Sequence, residues 1–139
     1  MGARKRLRAE ILKEEKKQIS FARLSSCPTS PRKMRLVADN VRGIEVKKAL
    51  DILKYSEKQP SKTLEKLLLS AISNWQKKNE GIRIEDSNLF VKEIFVDSAT
   101  TLKRLRPAPQ GRANRILKRS NHITIILGST INETKNIEA

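Results

Sequence analysis

The sequence predicts an α+β domain: three helices packed on a small antiparallel sheet, with a long extended β-hairpin projecting from it. Three observations carry that expectation. Apolar residues recur at three- and four-residue steps in three separate stretches between residues 30 and 79, the spacing of helices with one buried face. Two runs, L-F-V-K-E-I-F-V-D (89–97) and H-I-T-I-I-L (122–127), are rich in β-branched and aromatic residues and read as strands. The stretch between those runs has too few apolar side chains to build a core and has turn residues near its middle.

Along the chain, residues 1–18 form a basic extension in which cationic and acidic blocks alternate around a few aliphatics. Either a short helix or a tail ordered by a partner fits that composition. Ile19, Phe21 and Leu24 then set up a brief two-residue alternation that ends at Cys27-Pro28, which predicts a strand. Ser30-Pro31 marks a helix start, since serine offers an oxygen to unpaired amides and proline at the first helical position forfeits no bond. Met34, Val37, Ala38 and Val41 form its buried stripe, and Gly43 closes it. A second short helix presents Val46, Ala49, Leu50 and Leu53 on one face. The third follows Pro60-Ser61, carries Leu64, Leu67, Leu68, Ala71, Ile72 and Trp75, and ends within 79–81. The last two strands pair as an antiparallel hairpin with its turn near 108–110, where Pro107, Pro109 and Gly111 supply the turn chemistry. About ten residues per arm then extend beyond the apolar portion, roughly 30–35 Å at strand rise. One domain is expected over 19–128, including the projecting hairpin 98–119, followed by a polar, flexible tail over 129–139.

Charge names the partner. The 139 residues hold 30 Lys and Arg against 15 Asp and Glu, a net charge of +15. Residues 1–43 carry 12 cations and 4 acids, 44–97 carry 10 and 9, and 98–132 carry seven cations and no acid. Those seven are Lys103, Arg104, Arg106, Arg112, Arg115, Lys118 and Arg119. Like charges so close repel and bury little, so a dense polyanion is needed to order them, and nucleic acid is the candidate. Arginine outnumbers lysine there by five to two, which suits bidentate phosphate contact. No aromatic side chain lies within 98–132, which argues against a base-stacking platform. Arg32, Lys33 and Arg35 crowd the first turn after Ser30, where the helix macrodipole disfavours cations; bound phosphate would compensate, and Arg42 lies at the other end of the same helix.

The remaining chemistry is sparse. His122, the one histidine, begins a strand; it reads first as an edge residue and second as a phosphate contact. Cys27, the one cysteine, excludes a disulfide within the chain and a multi-cysteine zinc site, and reads as a small buried hydrophobe. The carboxylates are scattered among cations with no histidine or glycine-rich phosphate loop beside them, so neither an enzyme, a metal nor a cofactor is expected. No secretory signal or membrane span is visible, which points to an intracellular protein. A DNA-binding regulator using the helices after Ser30 is the alternative, but it leaves the cationic arm unexplained.

Four blocks also resemble a known family. S-P-R-K-M-R-L-V-A-D-N-V-R-G (30–43), A-L-D-I-L (49–53), V-K-E-I-F-V-D (91–97) and K-R-L-R-P-A-P-Q-G-R-A-N-R-I-L-K-R-S-N-H-I-T (103–124) are similar to bacterial large ribosomal subunit protein twenty-two, over roughly residues 19–127. The resemblance implies a domain on the outer side of the large subunit near the peptide exit, in the cytoplasmic ribosome. It implies a hairpin that reaches inward through 23S rRNA and lines the nascent polypeptide tunnel, opposite a loop of ribosomal protein four of the large subunit. Leu102, Lys103 and Arg104 match the segment where changes in the family alter macrolide response. Leu102 and Pro107, Ala108, Pro109, Gln110 and Gly111 would line the tunnel. The family usually reads P-R-A-K/Q-G-R at the tip, whereas this chain has P-A-P-Q-G-R, with one cation fewer and one proline more.

Overall fold

A computed structural model describes residues 3–80, 82–83 and 87–129, apart from the side chains of Glu15 and Gln18. The elements run α1 (Ala3–Gln18), β1 (Ser20–Cys27), α2 (Pro31–Asp39), α3 (Val46–Tyr55), α4 (Gln59–Lys78), β2 (Leu89–Pro107) and β3 (Ala113–Ser129). The sheet order is β1-β3-β2 with both pairings antiparallel, so the last strand inserts between the first two. Helices α2, α3 and α4 cover one face of this sheet, and the predicted stripes form the core between the layers. Met34, Leu53, Leu64 and Leu68 are fully buried against Val91, Ile123 and Ile125 of the strands. Trp75 and Cys27 are buried as well, in line with their reading as core residues.

Several details differ from the sequence reading, each for a local reason. Helix α2 ends at Asp39 rather than running to Gly43; the chain then turns, and Gly43 adopts φ +77 so that its N–H can reach the Val91 carbonyl at 2.8 Å. Ser30 has the extended backbone of an N-cap, but its hydroxyl makes no capping bond. The alternation of β1 is inverted relative to side-chain size. Small Ser20 and Ala22 are buried on the helix side, whereas Phe21 is 49% exposed on the open side. Small residues let α4 approach, and Asn74 of α4 donates to the Phe21 carbonyl at 3.0 Å. Strand β3 continues through Gly128 and Ser129, which pair with Phe90 and Leu89, so the polar tail begins after the strand rather than at 129. Gly128 gives the Phe90 ring its place, because a Cβ there would lie 2.6 Å from Cζ of that ring and the ring would have to move. Gly81 and residues 130–139 lie outside the described residues.

Strand β2 is an edge strand whose outward carbonyls are covered by the chain itself. Gly43 and Ile44 bond to Val91, Arg42 donates to the Ile94 carbonyl at 3.2 Å, and Arg35 donates twice to the Val96 carbonyl, at 2.9 and 3.3 Å. Those contacts dock α2 on the sheet and remove a template for strand addition.

Candidate nucleic-acid interface

Beyond the helical layer, β2 and β3 continue as a bare two-stranded ribbon. The register passes from Ser98 opposite Asn121 to Thr101 opposite Arg119, so β2 carries one extra residue at the base of the arm. A bulge of this kind bends and twists the strand pair, and here it separates the buried sheet from the projecting arm. Past it, every residue of 102–107 and 109–119 is exposed; Leu105 keeps 71% of its surface.

The cross-strand pairs show how so many cations share a thin ribbon. The rungs are Thr101–Arg119, Leu102–Lys118, Lys103–Leu117, Arg104–Ile116, Leu105–Arg115 and Arg106–Asn114. Each rung holds one cation and none holds two. Directly opposed residues have Cβ atoms about 5 Å apart, so this register avoids the closest like-charge repulsion. Because side chains alternate along a strand, Lys103, Arg115 and Arg119 fall on one face and Arg104, Arg106 and Lys118 on the other. Aliphatic partners on four rungs flank the cations without building a core. Pro107 pairs with Ala113, Ala108 N–H donates to the Arg112 carbonyl at 2.8 Å, and the chain reverses through Gln110 (φ +62) and Gly111 (φ +68). The turn is therefore centred on Gln110, at the far end of the predicted 108–110.

At the root of the arm, a polar junction ties three segments together. Asn121 is fully buried and donates from Nδ2 to the Thr29 carbonyl at 2.7 Å and to Thr29 Oγ1 at 3.3 Å; Cys27 Sγ lies 2.9 Å from that hydroxyl. Thr29 immediately precedes Ser30, so Asn121 holds the start of α2 beside the hairpin base. Sequence reasoning missed Asn121, although a signal existed: it lies in phase with the inward-facing Ile123, Ile125 and Leu127, where a polar residue demands a partner. Asn121→Ala should cost about 1–3 kcal/mol by leaving the Thr29 carbonyl without its donor; a denaturant midpoint unchanged from the parent would contradict that role.

The predicted contact residues fall into four groups. Arg32 and Lys33 are exposed at the start of α2, with no ion pair among the described residues, next to the arm's root. Arg35 and Arg42 are also at the surface, but several of their donors are committed to β2 carbonyls, and Arg42 pairs with Asp39 at 2.8 Å. His122 accepts the Ser26 N–H at Nδ1 (3.0 Å), which leaves Nε2 as its donor. The seven arm cations complete the set. No group of three or more His, Cys, Asp or Glu side chains suited to a metal occurs among the described residues, and no helix there is long and apolar enough to cross a membrane.

An α+β domain that anchors a cation-studded ribbon, with further cations at the ribbon's root, defines a structural polyanion-binding protein. The chain belongs to the ribosomal protein L22p/L17e family, whose model matches residues 22–128. It is 66% identical over 132 residues to the large ribosomal subunit protein uL22 of Christiangramia forsetii, covering 95% of this chain and 98% of that protein. The uL22 protein of Flavobacterium johnsoniae is 62% identical over 136 residues, covering 98% and 99%. That of Bacteroides thetaiotaomicron is 58% identical over 132 residues, covering 95% and 96%. Family membership sets aside the DNA-binding regulator.

Proposed function

We propose that this chain is a structural, non-catalytic constituent of the large ribosomal subunit, located in the cytoplasmic ribosome and bound to 23S rRNA through its arm and the arm's root. The observation that carries this reading is the rung pattern, one cation per cross-strand pair with the cations divided between both faces. A ribbon built this way can be enclosed by RNA on all sides, and counterion release on phosphate contact replaces the missing core. Its recognition is of shape and backbone, because A-form grooves offer phosphates and 2′-hydroxyls more readily than base edges.

In this reading Lys103, Arg104, Arg106, Arg112, Arg115, Lys118 and Arg119 contact phosphates along the arm, and Arg32 and Lys33 do so at its root. Arg35, Arg42 and His122 add the donors that the fold leaves free. Leu102 and residues 107–111 border the path of the nascent polypeptide, facing a loop of ribosomal protein four of the large subunit. The left-handed turn at Gln110 and Gly111 reverses the chain within a few residues, which suits insertion between crowded walls. No cofactor or small-molecule substrate enters the function.

The test replaces residues 103–117 by a two-residue turn and assembles the shortened chain into large subunits. The protein is expected to remain in the particle, while rRNA nucleotides along the arm's path become open to hydroxyl-radical cleavage. A cleavage pattern identical to that of the parent particle would refute an RNA-enclosed arm.

A further inference from the structure

We infer that α1 is a second rRNA clamp, separate from the arm, whose cationic face of Lys5, Arg8, Lys13 and Lys16 lies along the phosphate backbone of large-subunit RNA. The inference rests on the function proposed above and extends it to a segment that the family model does not include, since the match begins at residue 22. The segment is nonetheless shared with relatives, because the Flavobacterium johnsoniae match covers 136 residues of this chain.

Three features of α1 point to an external partner. All of its described side chains are exposed, including Leu7 at 60% and Ile11 at 55%, so nothing in the domain packs against it. A lone helix of 16 residues is marginal in water. Its first turn holds cations and no acid, against the macrodipole, and its one ion pair among the described residues is the exposed Arg6–Glu10 contact at 3.1 Å.

Four of the cations also fall on a single side of the helix. Lys5, Arg8, Ala9, Leu12, Lys13 and Lys16 follow steps of three and four and share one face, with position 15, a glutamate, at its border one step from Leu12. Leu7, Glu10, Ile11 and Glu14 share the opposite face by the same rule. Four of the seven cations of α1 thus lie along one stripe roughly 16 Å long at 1.5 Å per residue. Such a stripe complements a run of phosphates. Its position is set by Lys78 of α4, whose ammonium donates to the carbonyls of Lys17 (3.0 Å) and Ile19 (2.7 Å) and so closes the end of α1 with a favourable charge.

The experiment measures binding of the full-length chain to protein-free 23S rRNA as a function of salt. It compares the parent with a variant carrying Lys5→Gln, Arg8→Gln, Lys13→Gln and Lys16→Gln, and with a second carrying Leu7→Gln and Ile11→Gln. Glutamine preserves helix propensity, and these positions are exposed, so folding is not at stake. Four lost phosphate contacts should lower the log–log salt slope by about 3, so that between roughly 50 and 200 mM salt the parent loses about 60-fold more affinity than the first variant. The second variant should match the parent. An unchanged slope in the first variant overturns the inference while leaving the arm's role intact. Weakened subunit incorporation confined to the second variant would assign the helix to a protein neighbour, and also overturns it. A parent that shows no salt-dependent rRNA binding at all would instead defeat the underlying function.

Discussion

Replacing Lys103, Arg104, Arg106, Arg115, Lys118 and Arg119 together by glutamine should leave the domain folded and nearly abolish the salt dependence of rRNA binding that the arm contributes. Six phosphate contacts correspond to a log–log slope of roughly 4 to 5, or about a thousandfold change in affinity between 50 and 200 mM salt. The variant should lose affinity mainly at low salt, with the remaining slope coming from Arg112, the root and the extension. Fold retention is expected because each of these side chains is exposed and none reaches the helical core. The paired measurement is therefore a binding isotherm at several salt concentrations and a thermal transition of the free protein. A slope unchanged by the six substitutions would remove the arm from the phosphate interface. The rung pattern adds a finer expectation: substituting only Lys103, Arg115 and Arg119, which share one face, should remove about half of the slope if RNA surrounds the ribbon, and nearly all or none of it if RNA lies on one side.

How much of this was legible in the sequence depends on whether the signal was local. The stripes of α2, α3 and α4 repeat over several turns, and their periodicity alone identifies the buried face: Leu64, Leu68 and Trp75 are all inside, as expected. The hairpin was legible too, because two strong β runs flank a proline- and glycine-marked midpoint. What could not be read was anything that required a partner in space. The sense of β1 depends on α4 lying over Ser20 and Ala22, and apolarity alone would place Phe21 inside. The commitment of Arg35 and Arg42 to the carbonyls of Val96 and Ile94 depends on α2 crossing an edge strand. Exposed cations at a helix surface gave no hint of it. The one-cation rungs need the exact register, and a shift by a single residue would have paired different side chains and exchanged faces. Two prolines and a glycine locate the turn only to within a residue or two.

The domain and the arm should also respond unequally to the same chemical change. Leu64→Ala removes a fully buried side chain from the layer between α4 and the sheet and should cost about 2–5 kcal/mol. That is a large part of the 5–15 kcal/mol typical of a domain, and it should lower the thermal midpoint by roughly 10–20 °C. Leu105→Ala deletes the same atoms from a side chain 71% exposed on the arm, and in the free protein its cost should stay within about 0.5 kcal/mol. Below its own transition, the Leu64→Ala protein should retain the parent's salt slope with rRNA, since no phosphate contact is altered. If Leu105→Ala destabilised the free protein as much as Leu64→Ala, the arm would have to be packed against the domain rather than projecting from it. A ribbon whose order comes from RNA leaves its leucines energetically silent until RNA is present. Addition of rRNA should then raise the melting temperature of the Leu105→Ala chain and of the parent through binding to the folded state, in proportion to their affinities.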